Sequence, residues 1–139
     1  MNTVKQGEDD GLCVAACIAM ITGETLEEVV NRTRTFKGMV LTDQCIIALA
    51  QKRFTYGYTI DVKDVDLSRY RFKVTVDLRE SPAILTVNSQ RFPGTYHCVV
   101  WDNKVKMVRD PNPYLPLVTP ITDYEVVEWV PIGKISETC

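Results

Sequence analysis

The chain has 139 residues, 45% of them hydrophobic and 24% charged, with a formal net charge of −2. That length predicts one domain over residues 1–139, long enough to bury a core without staples. The charge excludes the basic field that nucleic acid or an anionic membrane surface would need, and no run nears the roughly 18 apolar residues that cross a bilayer.

The start, MNTVKQGEDDG, is polar and acidic. A secretory signal would place a basic start and an apolar run there, so a cytoplasmic location is expected. The five cysteines, Cys13, Cys17, Cys45, Cys98 and Cys139, are then expected as free thiols. His97 is the sole histidine, so any Cys–His chemistry must use it. No internal repeat or low-complexity segment interrupts the chain.

The first half reads as helices. Asp9, Asp10 and Gly11 precede the apolar run 12–22, and Gly23 follows it. Acidic residues before such a run and a glycine after it predict a helix opening within about a residue of Cys13. Cys13, Ala16, Cys17, Met20 and Ile21 share one face at helical spacing. Thr25 to Glu28 is a capping-box pattern opening a helix through Arg32. A third helix is predicted from Thr42 to Arg53, with Ile46, Ile47, Leu49 and Ala50 apolar.

The second half reads as strands at 82–87, 96–101 and 104–109, with a turn signal at Asp102-Asn103. A last strand is predicted over 128–132, on an edge because Pro131 cannot donate a ladder hydrogen bond. Residues 56–79 mix β-branched and charged types and fit strand or loop equally. Helices followed by an antiparallel sheet make an α+β domain.

Cys13 stands where a helix N-terminus would favour a thiolate over the free thiol, whose pKa is about 8.5. Most free cysteines are small buried hydrophobes, and position alone leaves Cys13 open to either role. Cys17, one turn on, is expected to pack in the core; Cys45 has no partner signal, and Cys139 is expected as a tail thiol. His97 near the start of its strand could be a base or a satisfied structural histidine.

The next strand carries Asp110-Pro111. A two-residue loop, Asp102 and Asn103, would set His97 opposite Val108 with Asp110 one same-face step beyond. A four-residue loop, 102–105, would set His97 opposite Asp110. Either even count keeps both side chains on one face, at about 4.5–5.5 Å or 7–8 Å between Cβ atoms. Asp-Pro is also ordinary strand-end turn chemistry. Gln6, seven residues before Cys13, could supply an oxyanion donor beside the Cys13 backbone N–H; alone it would pass for a surface glutamine.

Taken together, Gln6, the block Asp10-Gly-Leu-Cys-Val-Ala-Ala-Cys-Ile-Ala-Met-Ile-Thr-Gly23, His97-Cys-Val-Val-Trp101 and Val108-Arg-Asp-Pro111 resemble the bacteriocin-processing, double-glycine leader peptidases and their stand-alone relatives in the papain-like superfamily. The resemblance implies Cys13 as nucleophile, His97 as general base, Asp110 as its orienter and Gln6 as oxyanion donor. It also implies a papain-like fold, with the nucleophile at a helix N-terminus packed on a C-terminal antiparallel sheet. The chain departs from the family's usual Asp-Cys-Gly with Leu12-Cys13-Val14, and Val14 is expected to narrow the approach to the thiol. Leader peptidases are commonly fused to membrane transporters, for which this chain has no room, so leader cleavage is not carried over.

The expected activity is that of a cysteine peptidase or related thiol amidase on a protein or peptide, needing no cofactor or metal. Two alternatives use the same residues: a degenerate papain-like binding or inhibitor protein, and deamidase or transglutaminase-type acyl transfer. Small chains resembling this family occur in phages and mobile elements, which implies host-directed targets. Zinc at Cys13, Cys17 and His97 is disfavoured, because Cys-x-x-x-Cys within one helix lacks the paired spacing of a structural zinc motif.

Overall fold

The structure, a computed structural model, describes residues 1–7, 10–33, 42–57, 59–61, 65–66, 71–72 and 80–135. Asp9, Cys139 and much of the ambiguous 56–79 stretch lie outside them. A 3₁₀ turn over Asp10–Leu12 leads into α1, Cys13–Thr22. Gly23 closes α1 in the left-handed region at φ 82°, its N–H donating to the Ala19 carbonyl at 2.9 Å, the αL ending that glycine permits. Ala15 through Ile21 are all buried, so α1 is a core helix.

Helix α2 spans Leu26–Thr33. Its capping box forms as the sequence predicts: Thr25 N–H donates to Glu28 Oε1 at 3.3 Å, and Glu28 N–H to Thr25 Oγ1 at 3.1 Å. Helix α3 spans Thr42–Ala50 and stops short of the expected Arg53, which has φ 64°. It buries Cys45, Ala48 and Leu49, while Ile46 and Ile47 are exposed. The i, i+3, i+4 spacing of the buried three faces inward and turns the isoleucines out. Among the described residues, no helix is long and apolar enough to cross a membrane.

The strands are β1 (Phe54–Tyr56), β2 (Ile60–Asp61), β3 (Val65–Asp66), β4 (Arg71–Phe72), β5 (Ala83–Asn88), β6 (Tyr96–Asp102), β7 (Met107–Arg109) and β8 (Val126–Lys134). The main sheet runs β1-β8-β5-β6-β7, with β2 also on β8, and its paired strands are antiparallel; β3 and β4 pair with each other. Side-chain alternation gives it two faces. Ile84, Val100, Val130 and Ile132 join α1, α2 and α3 in one core cluster. Leu85, Val87, Val99, Trp101, Val108 and Trp129 build a second.

Two strand expectations change. β8 is an internal strand, paired with β5 on one side and with β1 and β2 on the other. Pro131 is tolerated there because it faces the break between β1 and β2. A residue's N and C=O point to the same side of a strand, and the Pro131 carbonyl accepts from Gly57 N–H at 2.9 Å, so the missing donor falls at the break. β7 begins at Met107 rather than at 104, because the turn takes up 103–106.

Gly57 lies close against β8: a Cβ there would stand 2.7 Å from the Pro131 carbonyl oxygen. Gly57→Ala should therefore cost about 1–3 kcal/mol, the usual range for forced overpacking. A lower urea midpoint at unchanged slope would show it; an unchanged midpoint would mean the two strands part freely.

Candidate active site

Cys13 is the first residue of α1, and Leu12 at its N-cap offers no side-chain hydrogen bond. A helix N-terminus presents N–H groups that favour a negative charge nearby. β6 packs against α1 on the helical face of the sheet, where Cys98 lies against the first core cluster. β7 pairs with β6 only over Val100–Asp102, so the stretch carrying His97 and Cys98 runs on past the end of β7.

The β6–β7 loop is Asn103–Lys106, an even four residues, one position later than the four-residue alternative. Asp102 Oδ1 accepts Lys104 N–H at 3.0 Å, and Lys106 takes φ 58° to turn the chain. Val100 faces Arg109. Continued, that register sets His97 opposite Asn112 and makes Asp110 a diagonal neighbour on the same face. The imidazole bridges the distance: His97 Nε2 lies 2.7 Å from Asp110 Oδ1. With Nε2 committed to the carboxylate, Nδ1 is the ring nitrogen left for Cys13.

Asp110 is 2% exposed and receives two further donors. Asn112 N–H donates to Oδ1 at 2.8 Å, and Tyr124 O–H donates to Oδ2 at 2.8 Å. The Tyr124 oxygen is also 2.6 Å from Thr119 Oγ1. Since the tyrosine's one proton goes to Asp110, Thr119 is the donor in that pair. Burial alone would raise the Asp110 pKa; the hydrogen bonds and the His97 charge outweigh it and hold the carboxyl below its ordinary range.

The thiol and the imidazole shift toward each other. A hydrogen bond from the Cys98 side chain is the largest influence on Cys13. Burial opposes it, and the His97 ring and Cys98 backbone add to it, bringing Cys13 down to about 5. Burial would lower His97, but its hydrogen bonds to Asp110 and Cys13 prevail and raise it to about 9. Between those values the stable form is thiolate beside imidazolium. The other thiols contrast: burial raises Cys17, which is fully buried, and pushes Cys45 up to about 12.

Gln6 is brought to the same segment. It is 2% exposed, not a surface residue, and its N–H donates to the carbonyl of Pro111 at 2.9 Å. The preceding Lys5 extends its ammonium to the carbonyl oxygens of Asp110, Asn112, Leu115 and Pro116 at 2.9–3.1 Å. Val14 is half-buried against the α1 core. The structure thus gathers Cys13, His97 and Asp110 at one point and anchors Gln6 beside Pro111.

Sequence reasoning missed Lys5, Tyr124 and Cys98. Neither Lys5 nor Tyr124 carries a local signal. Cys98 could have been found, because it directly follows the histidine and strand alternation turns it toward α1.

No family model and no curated protein matches the chain. Among solved structures it is similar to the peptidase domain of Streptococcus ComA, a bi-functional ABC transporter involved in a quorum sensing pathway. The TM-score is 0.60 at 17% sequence identity, covering 96% of this chain and 98% of that one. At that identity the likeness is one of fold: this chain has a papain-like, peptidase-type α+β fold.

The ion pair gives a direct test. Ultraviolet thiolate absorbance should show one thiol titrating near pH 5, absent in Cys13→Ala. His97→Ala should move that midpoint up, because the imidazolium favours the thiolate. A midpoint in the ordinary thiol range for the native protein would exclude the pair.

Proposed function

We propose that the chain is a cysteine hydrolase of peptide or amide bonds. The observation that carries this is the linked set Cys13, His97 and Asp110, with the thiol at a helix N-terminus and the carboxylate 2.7 Å from the imidazole. A nucleophile, a base within reach and a group orienting the base are what covalent acyl transfer requires.

In the proposed cycle the Cys13 thiolate attacks the carbonyl carbon. The His97 imidazolium then gives its proton to the departing amine and a thioester forms. Water, deprotonated by neutral His97, attacks the thioester and releases the acid. Asp110 keeps Nδ1 directed at the reacting atoms and stabilises the imidazolium without taking its proton. Gln6 and the Cys13 backbone N–H are the proposed oxyanion donors. Support for Gln6 comes from its burial and from its bond to the residue after Asp110.

The peptidase-type fold of the ComA domain is consistent with a peptide substrate.

The test is incubation with a peptide library cut from a whole proteome, with new termini read by mass spectrometry. Cys13→Ala should abolish cleavage, and His97→Ala should lower it by roughly 10²–10⁴. Asp110→Asn, which keeps an acceptor for the ring, should cost less than His97→Ala. Equal losses would mean that Asp110 does more than orient.

The rate should be highest between about pH 5 and about pH 9. Below that window the thiolate is protonated, and above it His97 has no proton to give. No cleavage in any sample, with wild type as unreactive toward thiol probes as free cysteine, would leave a binding protein on this frame.

A further inference from the structure

The hydrolase cycle uses one thiol, yet two sit at the site. Cys98 follows His97 on β6, and strand alternation turns its side chain to the α1 face, against the core cluster that α1 builds. There its thiol is within hydrogen-bonding reach of the Cys13 sulfur, and its own backbone N–H also points at that sulfur. Both are free, half-buried thiols, unlike Cys17 and Cys45, which are buried. We propose that Cys13 and Cys98 form a reversible disulfide under peroxide, so that Cys98 protects the Cys13 sulfur from irreversible oxidation and holds the site closed to acyl chemistry while oxidised.

The geometry favours this pair over the alternatives. The side-chain hydrogen bond between the two thiols sets one sulfur beside the other. Cys17 lies a turn deeper in α1 and is shut off from an oxidant.

The chemistry balances with a peroxide as oxidant. The Cys13 thiolate attacks one oxygen of hydrogen peroxide; an S–O bond forms and the O–O bond breaks. The departing hydroxide takes the proton of the His97 imidazolium and leaves as water. The Cys98 sulfur then attacks the Cys13 sulfenic sulfur. An S–S bond forms, the S–O bond breaks, and the second hydroxide leaves as water with the Cys98 proton. Two sulfurs have lost two electrons and the peroxide has gained them.

Before the first step Cys98 is a poor nucleophile, since its hydrogen bond to the Cys13 thiolate and its burial both raise its pKa. Once Cys13 is a sulfenic acid, that thiolate charge is gone. The larger restraint on Cys98 therefore lifts at the moment it has a partner to attack. Low-pKa, accessible cysteines beside a resolving cysteine are the ones that oxidise reversibly.

The test treats the full chain with hydrogen peroxide, blocks the remaining thiols by alkylation and maps peptides by mass spectrometry without reduction. The expected product is one Cys13–Cys98 crosslink, with the mass of two hydrogens lost. Dithiothreitol should return Cys13 to alkylation. Cys98→Ser should show no crosslink and accumulate Cys13 sulfinic acid, with recovery after dithiothreitol down by about tenfold or more.

Three results would overturn the proposal: Cys13 sulfinic acid in wild type with Cys98 still free, a crosslink from Cys13 to another cysteine, or equal recovery in Cys98→Ser. No oxidation at a dose that consumes free glutathione would do so as well. The link to lost turnover rests on the proposed hydrolase function, whereas the crosslink does not. A disulfide without peptide cleavage would retire the hydrolase and keep the thiol pair.

Discussion

The carboxylate of Asp110 has to be held where no strand holds it, and the whole site depends on that. β7 stops at Arg109, so the ladder that sets the register of β6 and β7 ends one residue too early to fix Asp110. What replaces the ladder comes from far along the chain. Lys5 gathers the carbonyls of Asp110, Asn112, Leu115 and Pro116, and Gln6 pins Pro111. Tyr124 and the Asn112 N–H hold the carboxylate itself. Arg109 ties the end of β7 to Asp102 at 2.7 Å and reaches Thr3. An ammonium has three protons for those four carbonyls, so Lys5 shares them. Its role is to gather a loop, which no single neutral donor could do.

Burial makes that anchoring electrostatically necessary. Desolvation opposes the charged form of each of the three groups, and an isolated charge in such a place would neutralise instead. Within the three groups a thiolate and a carboxylate flank one imidazolium, an excess of one negative charge that the nearby Lys5 ammonium offsets in part. Neutral donors spread that excess: Cys98 on the sulfur, and Tyr124 and the Asn112 N–H on the carboxylate. Thr119 in turn gives its proton to the tyrosine oxygen. A tyrosine that donates to Asp110 cannot also ionise easily, and burial with the nearby carboxylate raises its pKa. The donors are thus fixed in the direction that favours charge on the acids.

The sequence makes the periodic elements legible and conceals what joins them. The run into Gly23, the Thr25–Glu28 box and the alternation through Val87 and Val99 are local patterns, and the structure forms them. The parity of the β6–β7 loop was also legible, because it follows from alternation alone, though its position was off by one residue. Pro131 misled because the usual rule places such a proline at an edge, while here the break opposite it lies on another strand. Ile46 and Ile47 read simply as apolar; they face outward, while the smaller Cys45 and Ala48 face the core. Lys5 and Tyr124 were invisible for a common reason. Each acts on atoms more than ten residues away in sequence, and spacing carries no trace of such contacts.

The two ends of α1 show how stability and reactivity are divided within one helix. Its C-terminus is closed by Gly23, the Thr22 hydroxyl donating to the Ile18 carbonyl at 2.9 Å as well. Its N-terminus has leucine at the cap, which forgoes roughly 1 kcal/mol that Ser, Thr, Asn or Asp would contribute. The 3₁₀ turn over Asp10–Leu12 leads straight into this end, and the sulfur takes its hydrogen bonds from Cys98 and His97. The seven consecutive buried residues from Ala15 to Ile21 supply the stability that the start lacks. Helix formation is therefore secured by the core-facing body of α1, and its first turn is left to the chemistry of Cys13.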